Sequence, residues 1–187
     1  MSRDTSVVQT LQCSNQWRHI NFAKSVTSLT LSRQRSAFML EGSSQPTQMT
    51  PENLEDRLEC KKNYLAYLED CKVGKQAFEA DRVSIGELVR RAWDRPEGEA
   101  NDWAALQLAY DAKVAEVVAS GALKDMCPVC DTSGSMTWDD CPLYDAVGLS
   151  LLIAETSSLG MRILTFASEP RWIHLHSTDS FVQKVAT

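Results

Sequence analysis

The hydrophobic period of the chain changes at Gly121, and that change restricts the fold more than any other feature of the sequence. Upstream, apolar residues recur every three or four positions. Downstream, Met126 to Cys130 is an unbroken apolar run, Leu143 to Ser157 carries Tyr144, Val147, Leu151 and Ala154 on one helical face, and Met161 to Phe166 is a second run. Strand, helix and strand in that order predict a βαβ unit. Ser168-Glu169-Pro170 reads as a turn, Trp172 to His176 as a third strand and Asp179 to Val185 as a short amphipathic helix.

Three helices are expected before the change of period. Thr50-Pro51 offers an N-cap followed by proline at the first helical position, and Leu54, Leu58, Leu65 and Leu68, with Lys61 between them, mark one face up to Gly74. Ser84-Ile85-Gly86-Glu87 has the form of a capping box for a helix running to Trp93, closed by Asp94-Arg95-Pro96-Glu97-Gly98. Asn101 caps a third, with Trp103, Leu106, Tyr110, Val114 and Val117 in a stripe that ends at Ser120-Gly121. Residues 1–50 give mixed signals: Val7, Val8 and Leu11 fit a short helix, whereas Trp17, Ile20 and Phe22 fit an extended anchor. The expected organisation is a loosely defined segment 1–50, a helical region 51–121 and a partial sheet domain 122–187.

The loop Asp131-Thr132-Ser133-Gly134-Ser135-Met136 lies between the first strand and the following helix. Oxygen side chains at i, i+2 and i+4 turn toward one point beyond the strand's carboxyl end, where open α/β sheets place their ligands, and hard oxygen donors suit Mg²⁺ or Mn²⁺. Asp131, Ser133 and Ser135 are the candidate metal ligands. The partial positive end of the helix starting near Leu143 opposes a cation unless carboxylates offset it, a role open to Asp131 with Asp139 or Asp140. Trp138 and Asp139, just beyond the loop, are the candidate partner-binding residues.

Other chemistries fit less well. An EF-hand needs glycine at the sixth and glutamate at the twelfth place, where Met136 and Pro142 stand. A phosphoaspartate site wants a second carboxylate two residues on, and Ser133 stands there. The plain alternative is an Asp/Ser turn capping the helix. Cys127 and Cys130 form a CxxC pair, yet zinc needs two more ligands, with only Cys141, His174 and His176 downstream, and i and i+3 on a strand face opposite ways. No nucleophile or general base stands beside Asp131 at recognisable spacing, so an enzyme is not expected.

Net charge of −6 argues against a strongly cationic nucleic-acid binder. No apolar run reaches the roughly 20 residues of a membrane helix, and the polar N-terminus lacks the apolar core of a signal peptide. An intracellular, cytoplasmic protein with no membrane partner is expected, its six cysteines reduced.

The string Cys130 to Met136, in its DxSGSM form, resembles the metal-ion-dependent adhesion site of von Willebrand factor type A domains. With Pro142-Leu143-Tyr144, Val147 to Glu155 and Leu164 to Pro170, and upstream Tyr67 to Lys75 and Ile85 to Val89, the chain resembles the domain of unknown function 2828 family, which is similar to Ro ribonucleoproteins in joining helices to a von Willebrand A-like domain. The resemblance implies a partial doubly wound, Rossmann-like sheet and a divalent-metal-dependent protein-interaction module, non-enzymatic, whose protein ligand offers a carboxylate. An RNA-binding or ribonucleoprotein role is the alternative it implies, which the local excess of basic residues in 1–50 permits. It also implies a metal site completed by two further loops, and with 62 residues from Met126 to Thr187 there is room for three strands. The expectation is therefore a truncated domain, weak Mg²⁺ affinity and a first strand left at a sheet edge open to pairing.

Overall fold

The computed structural model describes residues 5–41, 49–78, 83–94, 100–138 and 142–187. Contacts divide the chain into two units, Met1–Arg82 and Val83–Thr187. The division falls at Arg82–Val83, so two of the three expected helices pack in the same unit as the sheet. Among the described residues the protein is mostly helical with one small mixed sheet.

The first unit holds α1 (Thr5–Cys13), a 3₁₀ turn (Trp17–His19), α2 (Ser28–Arg33), α3 (Arg35–Met39) and α4 (Pro51–Lys72). Trp17, Ile20 and Phe22 are buried, but in turns between helices and not in an extended segment. The Thr50 hydroxyl accepts from Asn53 N at 3.4 Å to cap α4, and Gly74 follows it at φ +74. Of the expected leucine stripe on α4, Leu68 is buried but Leu58 is 51% exposed, and Arg57, Cys60, Tyr64, Tyr67 and Cys71 turn inward beside Leu68. The reason is aromatic packing. Phe22, Phe38 and Tyr64 meet with centroids 5.1 to 5.6 Å apart, and such contacts exceed what leucine burial at the same positions gives. Asp56, buried at the start of that face, accepts from Trp17 N at 2.7 Å and from Arg18 Nε at 2.7 Å, tying the 3₁₀ turn to α4. Arg57 lies 3.6 Å over the Trp17 ring and donates to Ala37 O.

The second unit holds α5 (Ile85–Asp94), α6 (Ala100–Ser120), β1 (Val129–Asp131), a 3₁₀ turn (Gly134–Thr137), α7 (Leu143–Thr156), β2 (Arg162–Phe166), β3 (Trp172–His174) and α8 (Phe181–Ala186). Ser84 Oγ accepts from Glu87 N at 3.1 Å, whereas the Glu87 carboxylate accepts from Arg90 and Arg91. Gly148 brings α7 against the first residue of α5: a Cβ there would stand 2.6 Å from Ile85 Cγ1. Tyr110 of α6 stacks on Phe181 of α8 with centroids 4.4 Å apart, and Gln107 accepts from Phe181 N. Lys184 pairs with Glu155, both largely buried. Ser180 and Gln183 form a reciprocal capping box on α8.

The sheet order is β1-β2-β3, with β1 parallel and β3 antiparallel to β2. Parallel pairing of β1 with β2 across α7 is the expected βαβ unit. β1 starts three residues later than the apolar run suggested, because Met126 and Cys127 are exposed and bond no strand. Cys130, Ile163, Thr165 and Ile173 share the face toward α7; Val129, Asp131, Leu164, Phe166 and Trp172 share the other.

Candidate metal centre

Asp131 is the last residue of β1, not the first beyond it. One step further, Thr132 N donates to Phe166 O at 3.0 Å, so the loop is pinned to the carboxyl end of β2 before it turns. Ser133 N then donates to Asp131 Oδ1 at 2.9 Å, an Asx turn that brings the serine back over the carboxylate. The Ser133 and Ser135 hydroxyls stand 3.1 Å apart, and Ser135 lies in the 3₁₀ turn closed by Met136 N to Ser133 O and by Thr137 Oγ1 to Gly134 O. The three candidate ligands are thus linked residue to residue by hydrogen bonds. The Ser133 backbone N–H, then its hydroxyl, hold the Asp131 carboxyl below its usual range, so it stays ionised wherever the protein is folded near neutral pH.

The donor set is one carboxylate and two neutral hydroxyls, hard oxygens that fit Mg²⁺ or Mn²⁺ and supply a single negative charge. Among the described residues no cluster of three or more His, Cys, Asp or Glu side chains stands ready for a metal. Trp138 is 75% exposed just beyond the 3₁₀ turn. Asp139, with Asp140 and Cys141, lies outside the described residues. Cys127 is exposed and Cys130 buried, the latter with its thiol pushed up by burial despite a hydrogen bond with Ser150. The CxxC pair therefore does not present two thiols to one point. His174 and His176 are exposed.

A cavity of about 670 Å³ lies inside the second unit, bounded by the inner sheet face, α7, α8 and the end of α5. Cavities of this size with convergent polar groups are the usual ligand sites. Several of its polar groups, however, are already engaged: Lys184 with Glu155, Ser150 with Cys130, and Thr165 with the Arg171 backbone at 3.0 and 3.2 Å. Sequence reasoning missed the Phe166 carbonyl as the anchor of the Asp131–Met136 loop. A backbone acceptor carries no residue signature, and only the expected parallel pairing of the two strands pointed to it.

Residues 125–187 match the family described as Domain of unknown function (DUF7788). The matching family is thus a different one from the domain of unknown function 2828 suggested by resemblance. The chain is also 28% identical over 175 residues to "Uncharacterized protein L728" of Acanthamoeba polyphaga mimivirus. That match covers 92% of this chain and 28% of the viral protein, so the chain spans under a third of the curated relative it matches. No solved structure matches. No helix among the described residues is long and apolar enough to cross a membrane.

Proposed function

We propose that the second unit is a non-enzymatic, divalent-cation-dependent protein-interaction module centred on Asp131, Ser133 and Ser135. The observation that carries this reading is the hydrogen-bonded chain from Asp131 Oδ1 through Ser133 to Ser135, set at the carboxyl end of a parallel strand pair. Asp131 contributes the one negative charge. Ser133 and Ser135 contribute lone pairs without charge, and the Thr132 N to Phe166 O bond fixes the loop so that little ordering remains to be done on binding. A divalent ion held by this set is under-neutralised and takes a carboxylate from a partner protein as a further ligand. Trp138, exposed beside the loop, supplies an aromatic contact for that partner. With three protein oxygens and the remaining octahedral positions left to water, affinity for Mg²⁺ is weak.

The test is calorimetric titration of the full chain with Mn²⁺ and Mg²⁺. Binding that disappears in Asp131→Ala and weakens in Ser133→Ala supports the module; no heat above dilution in the wild-type chain, or heat unchanged in Asp131→Ala, removes it.

A further inference from the structure

The sheet has a covered face and an open one. α7 lies on the face carrying Cys130, Ile163, Thr165 and Ile173. On the other, Val129 is 61%, Phe166 61% and Trp172 49% exposed, and Val129, Leu164 and Trp172 are direct neighbours across the three strands. Only the β1–β2 pair is parallel, the kind normally buried on both faces, and exposed apolar side chains grouped in this way mark an interaction site.

Size and charge select the occupant. Outer strands of a three-stranded sheet lie about 10 Å apart, the diameter of one α-helix. The four steps from Arg162 to Phe166 span about 13 Å, or about nine residues of helix. The face itself is about 10 by 13 Å, small beside the roughly 800 Å² per partner that a stable dimer with a second copy needs. At one end of the face Asp131 is the register partner of Phe166; at the other Arg162 is that of His174. Arg162 stacks on Trp172 at 5.1 Å and makes no ion pair among the described residues. Arg162 favours an acidic visitor at its end, and a cation held at Asp131 as proposed above would do the same at the other.

We infer that this face seats a single amphipathic helix of a partner protein, lying along the strands with its apolar side on Val129, Leu164, Phe166 and Trp172. One acidic residue reaches the Asp131 loop and a second, about two turns away, reaches Arg162 and His174. The first of these contacts rests on the metal reading proposed above; the apolar seat and the Arg162 contact do not.

The probe is a display library of helices, apolar at i, i+3, i+4 and i+7 and randomised elsewhere, selected on the full chain with Mg²⁺ present. Enriched helices are expected to carry Asp or Glu at both ends and to bind Phe166→Ser and Trp172→Ser about tenfold or more weakly, and Arg162→Glu also weakly. Both apolar targets are exposed, and circular dichroism checks that the variants fold. If chelator leaves a binding that Trp172→Ser abolishes, the seat stands and the metal contact falls. If the chain binds Mn²⁺ but no helix is enriched, or enriched helices ignore all three variants, the seat is wrong and the metal reading survives. Concentration-dependent dimerisation lost in Trp172→Ser overturns the inference in favour of a second copy.

Discussion

Replacing Gly148 by alanine tests the close approach of α7 to α5. In the interior of α7 the substitution by itself favours the helix by about 1 kcal/mol, because alanine loses less backbone entropy. The new methyl, however, would stand 2.6 Å from Ile85 Cγ1, 3.1 Å from Cγ2 and 3.2 Å from the Ile85 carbonyl carbon, where ordinary contact begins at 3.4 Å. A side-chain tip can rotate away; a carbonyl carbon cannot, so α5 itself must back off from α7. Overpacking of a close interface costs about 1–3 kcal/mol, and because this one involves backbone the upper half of that range applies. The balance is a loss of about 1–2 kcal/mol, with a fall in melting temperature of about 4–8 °C per kcal/mol for a unit near 100 residues. The assay is urea and thermal unfolding of the full chain followed by circular dichroism, with Gly134→Ala as control, since nothing stands within 4 Å of a Cβ there. Ile85→Ala removes both γ-carbons and should restore part of the loss in the double variant beyond additivity. A Gly148→Ala chain as stable as the wild type, or no rescue by Ile85→Ala, refutes the contact as drawn.

Asp56→Asn should destabilise the first unit by about 1–3 kcal/mol. Its folded pKa is held low: burial opposes ionisation, but the bonds from Arg18 and Trp17 outweigh it. The stabilisation is therefore complete above the unfolded carboxyl value and fades as pH falls through the folded one, so the variant's deficit should vanish in strong acid; a deficit independent of pH contradicts the assignment. Lys184→Met or Glu155→Leu alone should cost about 3–5 kcal/mol, and the two together much less, measured as a double-mutant cycle in urea. Pulse alkylation should label Cys13 and Cys127, both exposed, well before Cys60, whose thiol burial pushes up to about 12. Labelling of Cys60 at the same rate would mean that the aromatic core around α4 opens readily.

The elements with strong local punctuation were legible in the sequence. Thr50-Pro51 and Gly74 bracket α4, the change of period after Gly121 announces the βαβ unit, and Asp131, Ser133 and Ser135 do cluster. What was not legible depends on partners distant in sequence. Leucine spacing caught Leu68 but missed most of the buried face of α4, because Tyr64 meets Phe22 and Phe38 from segments that carry no helical stripe of their own. Ser28 to Met39 gave no sign of helix, since its six- and five-residue helices are too short to show a period. The open sheet face was hidden by its own composition: Val129, Leu164, Phe166 and Trp172 read as core by hydrophobicity, yet among the described residues no second layer covers them, and Val129, Phe166 and Trp172 are exposed.

The mixed pairing of the sheet sets an order of events. β2 and β3 are joined by the short turn 167–171, with Thr165 clasping the Arg171 backbone at its mouth, so this hairpin closes on the microsecond scale of local structure. β1 reaches β2 only after α7 has formed and crossed over, a non-local closure that is intrinsically slower. The bond from Thr132 N to Phe166 O therefore belongs to the late part of refolding. Substitutions that loosen the Asp131 loop should speed unfolding and leave the refolding rate almost unchanged, whereas those that weaken the Thr165–Arg171 clasp should slow refolding.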